Sequence, residues 1–145
     1  MEKARKLKFL LFVFCTATIF FVTFHRGVLL TAPPYDVTAY LVILESDLKF
    51  SKPECVVASY LVVIVTTLFF HALLGTNLLS ITLNTITVAT FISFTRFSHP
   101  PALALTIFSY LTSDLLGFAI TSIIVLAIIF GFSYATRLAT KKRFY

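Results

Sequence analysis

Residues 96–115 read RFSHPPALALTIFSYLTSDL: an arginine, a histidine and a Pro-Pro pair, then a short apolar run closed by Ser-Asp. Proline is tolerated in the first turn of a helix, because the N–H it lacks has no intrahelical partner there. Pro100-Pro101 therefore mark a helix start. The apolar run behind them, Ala102–Thr112, reaches only about 15–17 Å at 1.5 Å per residue, half of a ~30 Å hydrocarbon core. Irregular backbone cannot face lipid at that depth, so such a half-helix must be wrapped by protein or line a polar cavity.

The surrounding chain has the composition of a membrane protein. It has 145 residues, 59% of them hydrophobic and 12% charged, with a net charge of +6 and a mean hydropathy of +0.97. A soluble domain carries charge on roughly a quarter of its residues. From Cys55 to Thr95 there is no Asp, Glu, Lys or Arg, and His71 is the lone histidine. Four segments are long enough to span: about Leu7–Phe24, Pro53–Leu74, Leu78–Thr95 and Leu115–Leu138. The turn formers in Leu74-Gly75-Thr76-Asn77 fold the second and third into a tight hairpin. Tyr35–Leu44 is a second run too short to span.

The two short runs resemble each other. PPYDVTAYLVILESDL (33–48) and PPALALTIFSYLTSDL (100–115) align without a gap at a constant offset of 67, from Pro33 to Pro100. Both prolines, Leu44/Leu111, Ser46/Ser113, Asp47/Asp114 and Leu48/Leu115 coincide, and Phe-x-Arg precedes each copy at Arg26 and Arg96. The expected architecture is an all-α polytopic membrane protein: four spanning helices plus two short re-entrant half-helices, arranged as an internal two-fold repeat. A single membrane domain (1–145) then holds repeat 1 at about 7–74 and repeat 2 at about 78–138. Ser46-Asp47 and Ser113-Asp114 are suited to accept from the opening N–H groups of the following helices.

Eight of the twelve basic residues lie near the ends: Lys3, Arg5, Lys6, Lys8, Arg137, Lys141, Lys142 and Arg143. The positive-inside rule puts both basic tails (1–8 and 139–145) in the cytoplasm, with the cell membrane as the expected location and an even number of crossings. A nucleic-acid partner would need a basic soluble face, and none is visible. Cys15 and Cys55 read as small buried hydrophobes rather than a disulfide or metal pair. The basic start and apolar run of the first segment imitate a secretory signal. No small-residue cleavage pattern follows it, so a retained helix is expected.

His99-Pro100-Pro101-Ala102 behind an apolar span resembles the signature of the HPP family of small integral membrane proteins, roughly HPPAGATAL. Phe50-Ser51-Lys52-Pro53-Glu54 stands where the family has a segment like L-A-Q-P-R, and Ala39–Ile43 where it has a small, apolar stretch. The likeness runs in order over about residues 9–138. Leu103 replaces a family Gly, Glu54 an Arg, and Ala58-Ser59-Tyr60 a Gly-Gly-His stretch. The resemblance implies four spans and, from plastid and cyanobacterial members associated with nitrite transport, a small-anion permease.

The residues point to an anion site at the half-helix starts. A helix N-terminus offers unpaired N–H groups and about half a positive charge. The expected donors are the amides of Tyr35–Val37 and Ala102–Ala104, at starts formed by Pro33, Pro34, Pro100, Pro101 and Ala102. Arg26 and Arg96 add charge, and His99 adds a titratable group. Asp36 can complement the dipole, pair with either arginine, or carry a proton. With re-entrant segments both arginines face one side; with full crossings there are six spans and the repeat is inverted. His71 reads as an interhelical hydrogen-bonder, and Thr82, Asn84, Thr85 and Thr87 as helix-packing groups or a pore lining. No Ser-His-Asp spacing, HExxH, carboxylate pair or phosphate loop suggests an enzyme, and no cofactor is expected. The functional expectation is a homo-oligomeric transporter or channel for a small inorganic, nitrite-like anion. The alternative is a non-transporting scaffold or accessory subunit that binds anionic lipid or a membrane partner.

Overall fold

Proline and short polar caps place the helix boundaries. In the computed structural model, which describes residues 2–141, the helices are α1 (Glu2–His25), α2 (Ala32–Ile43), α3 (Pro53–Leu74), α4 (Leu78–Phe94), α5 (Pro101–Ser109) and α6 (Leu115–Lys141). Short 3-10 turns at Leu29–Thr31 and Lys49–Ser51 lead into α2 and α3. Proline occupies the first turn of α2, α3 and α5. The α3–α4 hairpin turns at Gly75, whose φ of +71° favours glycine. Asn77 then caps α4, its side chain accepting from the Ser80 N–H at 2.9 Å.

Among the described residues, three helices are long and apolar enough to cross a bilayer: α1, α3 and α6. The expected third span is a shorter helix of 17 residues, about 25 Å long. Helix α1 begins well before Leu7, at Glu2, and carries the first basic residues on its opening turns. Residues 142–145, the end of the second basic tail, lie outside the described residues.

Helix direction follows from side-chain pairs. Thr16 meets Asp36 at 2.6 Å and Phe12 meets Tyr40 edge-on at 5.8 Å, so α2 runs antiparallel to α1. A cleft at one end is lined by Lys8, Ile43, Asp47, Ser133 and Arg137, which brings together the start of α1 and the ends of α2 and α6. Residues Lys49, Lys52, Cys55, Arg96 and Phe97 gather where α3 begins and α4 ends. Tyr110, just past α5, touches Ser80 near the hairpin. Each helix therefore reverses its predecessor, and the short helices α2 and α5 do not return to the end they set out from. This differs from the re-entrant expectation.

The short helices form the middle of the molecule. Helix α2 packs on α1, α5 and α6, while α5 packs on α2, α3 and α4. Tyr35, Thr38, Ala39, Val42 and Ile43 form the buried stripe of α2, at the i, i+3, i+4, i+7 spacing of one helix face. Ala102, Leu105, Thr106 and Ser109 do the same on α5. The long helices turn Phe21, Leu61, Val65, Leu73 and Ile123 outward, each more than half exposed. An apolar rim around a hydroxyl-rich centre suits a chain whose surrounding solvent is hydrocarbon rather than water.

One element of the proposed repeat is asymmetric. Asp114 Oδ1 accepts the Gly117 N–H at 2.8 Å and caps α6 as expected. Ser46 and Asp47 do not cap α3, because the 3-10 turn at Lys49–Ser51 intervenes and the Lys52 carbonyl accepts from Cys55 and Val56.

Candidate functional site

The centre of the site is the contact between α2 and α5, where His99 is fully buried. Its Nδ1 lies 2.7 Å from the Phe50 carbonyl, which can only accept, so Nδ1 carries the N–H. Its Nε2 lies 3.0 Å from Thr38 Oγ1. The same Thr38 oxygen is 2.7 Å from the Tyr60 hydroxyl and 3.0 Å from the Pro34 carbonyl. Thr38 is thus a hub: its proton goes to Nε2 when His99 is neutral, or turns to Pro34 when Nε2 itself donates. His99 finds a partner in either charge state without any movement of the backbone.

The polar groups continue across the bundle. Tyr60 stacks on Tyr35, with ring centroids 6.2 Å apart. The Tyr35 hydroxyl meets Ser122 Oγ of α6 at 2.6 Å. The residue before it, Thr121, accepts from Arg26 Nε at 2.7 Å. On the opposite side, Ser59 donates to the Phe97 carbonyl at 2.7 Å and Cys55 Sγ lies 3.5 Å from the Arg96 carbonyl, tying α3 to the loop before His99. That loop opens on a cleft of about 440 Å³ lined by Lys49, Lys52, Glu54, Cys55, Arg96 and Phe97. The result is one file of neutral hydroxyls and an imidazole, with three cations and one acid at its Arg96 end and Arg26 at the other.

Several expected site residues fall elsewhere than the sequence suggested. Arg26 and Arg96 stand at opposite ends of the bundle, since α4 runs opposite to α1. Both are exposed, and the Arg96 guanidinium lies over the Phe97 ring at 4.8 Å. The α5 amides are not free donors: Ala102 N–H bonds the His99 carbonyl and Leu103 N–H the Pro100 carbonyl, each at 3.0 Å. A tight opening turn consumes them. Asp36 pairs with neither arginine but accepts from Thr16, on the face of α2 that looks toward α1. Pro34, Pro101 and Ala102 are buried, whereas Pro33 and Pro100 are exposed.

Sequence reasoning missed Thr38, Tyr60, Thr121, Ser122 and the hydroxyl of Tyr35, a residue expected to act through its amide. Tyr60 carried a faint signal, standing within the Ala58-Ser59-Tyr60 segment where the resembling family has Gly-Gly-His. Thr38 carried none. The three histidines do not converge. His25 leans on Phe21 at the exposed end of α1, and His71 and His99 associate with opposite ends of α5. Among the described residues, no group of three or more His, Cys, Asp or Glu is placed to hold a metal ion.

Comparison with curated proteins gives no match, and neither does comparison with solved structures. The family model described as "HPP, transmembrane region" matches residues 4–144. That match takes in all six helices, the HPPA string and the buried file behind it, so this chain is an integral membrane protein of the HPP transmembrane family.

Proposed function

We propose that this protein conducts a small inorganic anion of the nitrite class along the file from the Arg96 cleft through His99, Thr38, Tyr60, Tyr35 and Ser122 to Arg26. The observation that carries this reading is the file itself. Neutral hydroxyls that turn from their present partners, and an imidazole, can replace part of an anion's hydration shell without trapping it as a buried cation would, and cations at both mouths raise the local anion concentration. The role is permeation rather than catalysis.

The six alternating helices support six crossings, with α1–α3 and α4–α6 as an inverted pair of three-helix units. In transporters with inverted repeats, interrupted helices meet at the substrate site, as α2 and α5 meet at Thr38 and His99. Positive-inside bias supports a cytoplasmic location for the end that carries Lys8, Lys49, Lys52, Arg96 and Arg137, against Arg26 at the other. The apolar flanks support self-association into a homo-oligomer.

A second reading has its own observation. Thr38, Tyr60 and His99 fill their junction with direct bonds, which suits a non-transporting scaffold that binds anionic lipid or a membrane partner. Nitrite flux into proteoliposomes separates the two. Transport predicts flux in the wild-type protein that falls with Arg96→Ala, His99→Ala and Tyr60→Phe. Absence of flux from correctly folded wild-type protein, or flux unchanged in all three variants, refutes conduction through this file.

A further inference from the structure

A second buried polar cluster lies at the far end of α5, between α3, α4 and the turn after Ser109. His71 lies against Tyr110, the rings tilted by 30° with centroids 4.1 Å apart. Its Nδ1 lies 2.7 Å from the Thr67 carbonyl, so Nδ1 bears the N–H. Asn84 donates its two amide protons to Thr67 Oγ1 at 3.2 Å and to the Tyr110 hydroxyl at 3.3 Å. Ser80 donates to the Phe70 carbonyl at 3.3 Å, which leaves the Tyr110 proton for Ser80 Oγ at 2.9 Å. Ser109 donates to the Thr106 carbonyl at 2.6 Å, which leaves the Thr67 proton for Ser109 Oγ at 3.3 Å.

Every side-chain proton in the cluster is thereby committed. Two atoms have no partner, His71 Nε2 and Asn84 Oδ1. Both are lone-pair acceptors, on residues that are 9% and 0% exposed. An orphaned buried polar group costs on the order of 1–3 kcal/mol, so a missing ligand explains the pair better than a packing flaw. The deficit is one-sided: the cluster lacks protons, not acceptors. An anion has nothing to offer it. A small O–H donor or a cation does.

We propose that His71 Nε2 and Asn84 Oδ1 form a proton site, occupied by a water that delivers a proton to Nε2 and holds Asn84 Oδ1 with its other hydrogen. In the neutral state the water donates to both atoms. On protonation a hydronium proton from the aqueous phase reaches the water as the water hands one of its own hydrogens to Nε2. The site gains one proton in all, the new Nε2–H donates to the water, and the water still donates to Oδ1, so no partner is lost. Tyr110 of α5 is the titratable group that meets His71. Ser80 and Asn84 of α4, Thr67 of α3 and Ser109 of α5 bring uncharged groups. The site also touches the anion file mechanically, since α5 starts two residues after His99 and ends at Ser109, next to Tyr110. Resting on the conduction reading above, the inference makes this a coupling site, at which one proton travels with each anion.

Two measurements on the full-length protein in lipid bilayers test this separately. The first uses 15N-histidine NMR, with His25→Gln and His71→Gln for assignment. The expected result is a neutral His71 bearing its proton on Nδ1, with Nε2 in contact with exchangeable water protons, and loss of that contact in Asn84→Leu. A dry Nε2, or one bonded to protein, overturns the site whether or not the protein transports. The second records nitrite uptake together with lumenal pH in proteoliposomes. An inward proton gradient should accelerate wild-type uptake about tenfold and acidify the lumen in step with it, while His71→Gln takes up nitrite no faster than wild type without a gradient and does not respond to the gradient. Nitrite uptake in wild type without proton movement overturns the coupling and leaves a structural water only. If neither wild type nor His71→Gln takes up nitrite, the conduction reading fails and the coupling falls with it, whereas the hydrated site is judged on the NMR result alone.

Discussion

Removing one hydroxyl from Thr38 should cost more than removing one from Tyr60, although the two groups are bonded to each other. Thr38→Val keeps the shape of the side chain but strips the hub. It leaves the Tyr60 hydroxyl and His99 Nε2 without their partner, and both residues are 0% exposed. Two orphaned groups at the lower bound of about 1 kcal/mol each give about 2 kcal/mol. The lower bound is appropriate because chains unfolded within a membrane environment also find hydrogen-bond partners. Tyr60→Phe instead removes a terminal member: Thr38 keeps its proton on His99 Nε2, so the loss is a single interhelical bond of about 0.6 kcal/mol. The assay is reversible unfolding by SDS in mixed micelles followed by far-ultraviolet circular dichroism, since the chain has no tryptophan to report by fluorescence. Equal losses for the two variants, or a larger one for Tyr60→Phe, would refute the hub assignment.

Other perturbations probe the frame and the mouths. A Cβ at Gly117 would collide with the Asp114 carboxylate, so Gly117→Ala should displace the cap of α6 and cost about 0.5–2 kcal/mol; adding Asp114→Ala should cost little more, as a double-mutant cycle in the same unfolding assay will show. Gly75→Ala meets no atom within 4 Å, so its expected cost of about 1–3 kcal/mol comes from the backbone conformation alone, and it should leave flux per folded molecule unchanged. Arg96→Ala, at an exposed residue, should shift unfolding by less than about 0.5 kcal/mol. On the proposed conduction of nitrite, a charge about 6 Å from the anion in a water-like medium contributes about 0.7 kcal/mol, so the same variant should raise the half-saturating nitrite concentration about threefold, an effect that high salt suppresses.

How much was legible in the sequence differs from residue to residue. The prolines were readable because they act locally: a fixed φ and a missing N–H restrict Pro33-Pro34, Pro53 and Pro100-Pro101 to first turns whatever surrounds them. Gly75 and Asn77 marked the hairpin for the same kind of reason, and Asp114 its cap. Hydroxyls in apolar helices were opaque. Thr18, Thr66, Thr82, Thr87 and Thr90 each donate to a carbonyl four residues back in their own helix. A threonine that satisfies itself and one that organises a site look alike in sequence, so neither Thr38 nor Thr121 stood out.

The sequence by itself determined a membrane-embedded, all-helical chain with two proline-led short helices, because hydrocarbon tolerates only long apolar segments and satisfied backbone. Tertiary structure alone decided which way those helices point. Direction depends on which faces pack, and packing put Arg26 and Arg96 at opposite ends, closed the α5 amides onto their own turn, and joined His99 to Thr38 across 61 positions of chain. It also left His71 and Asn84 each with an unmatched acceptor, a shortage of protons that appears only when donors and acceptors from separate helices are counted in one place.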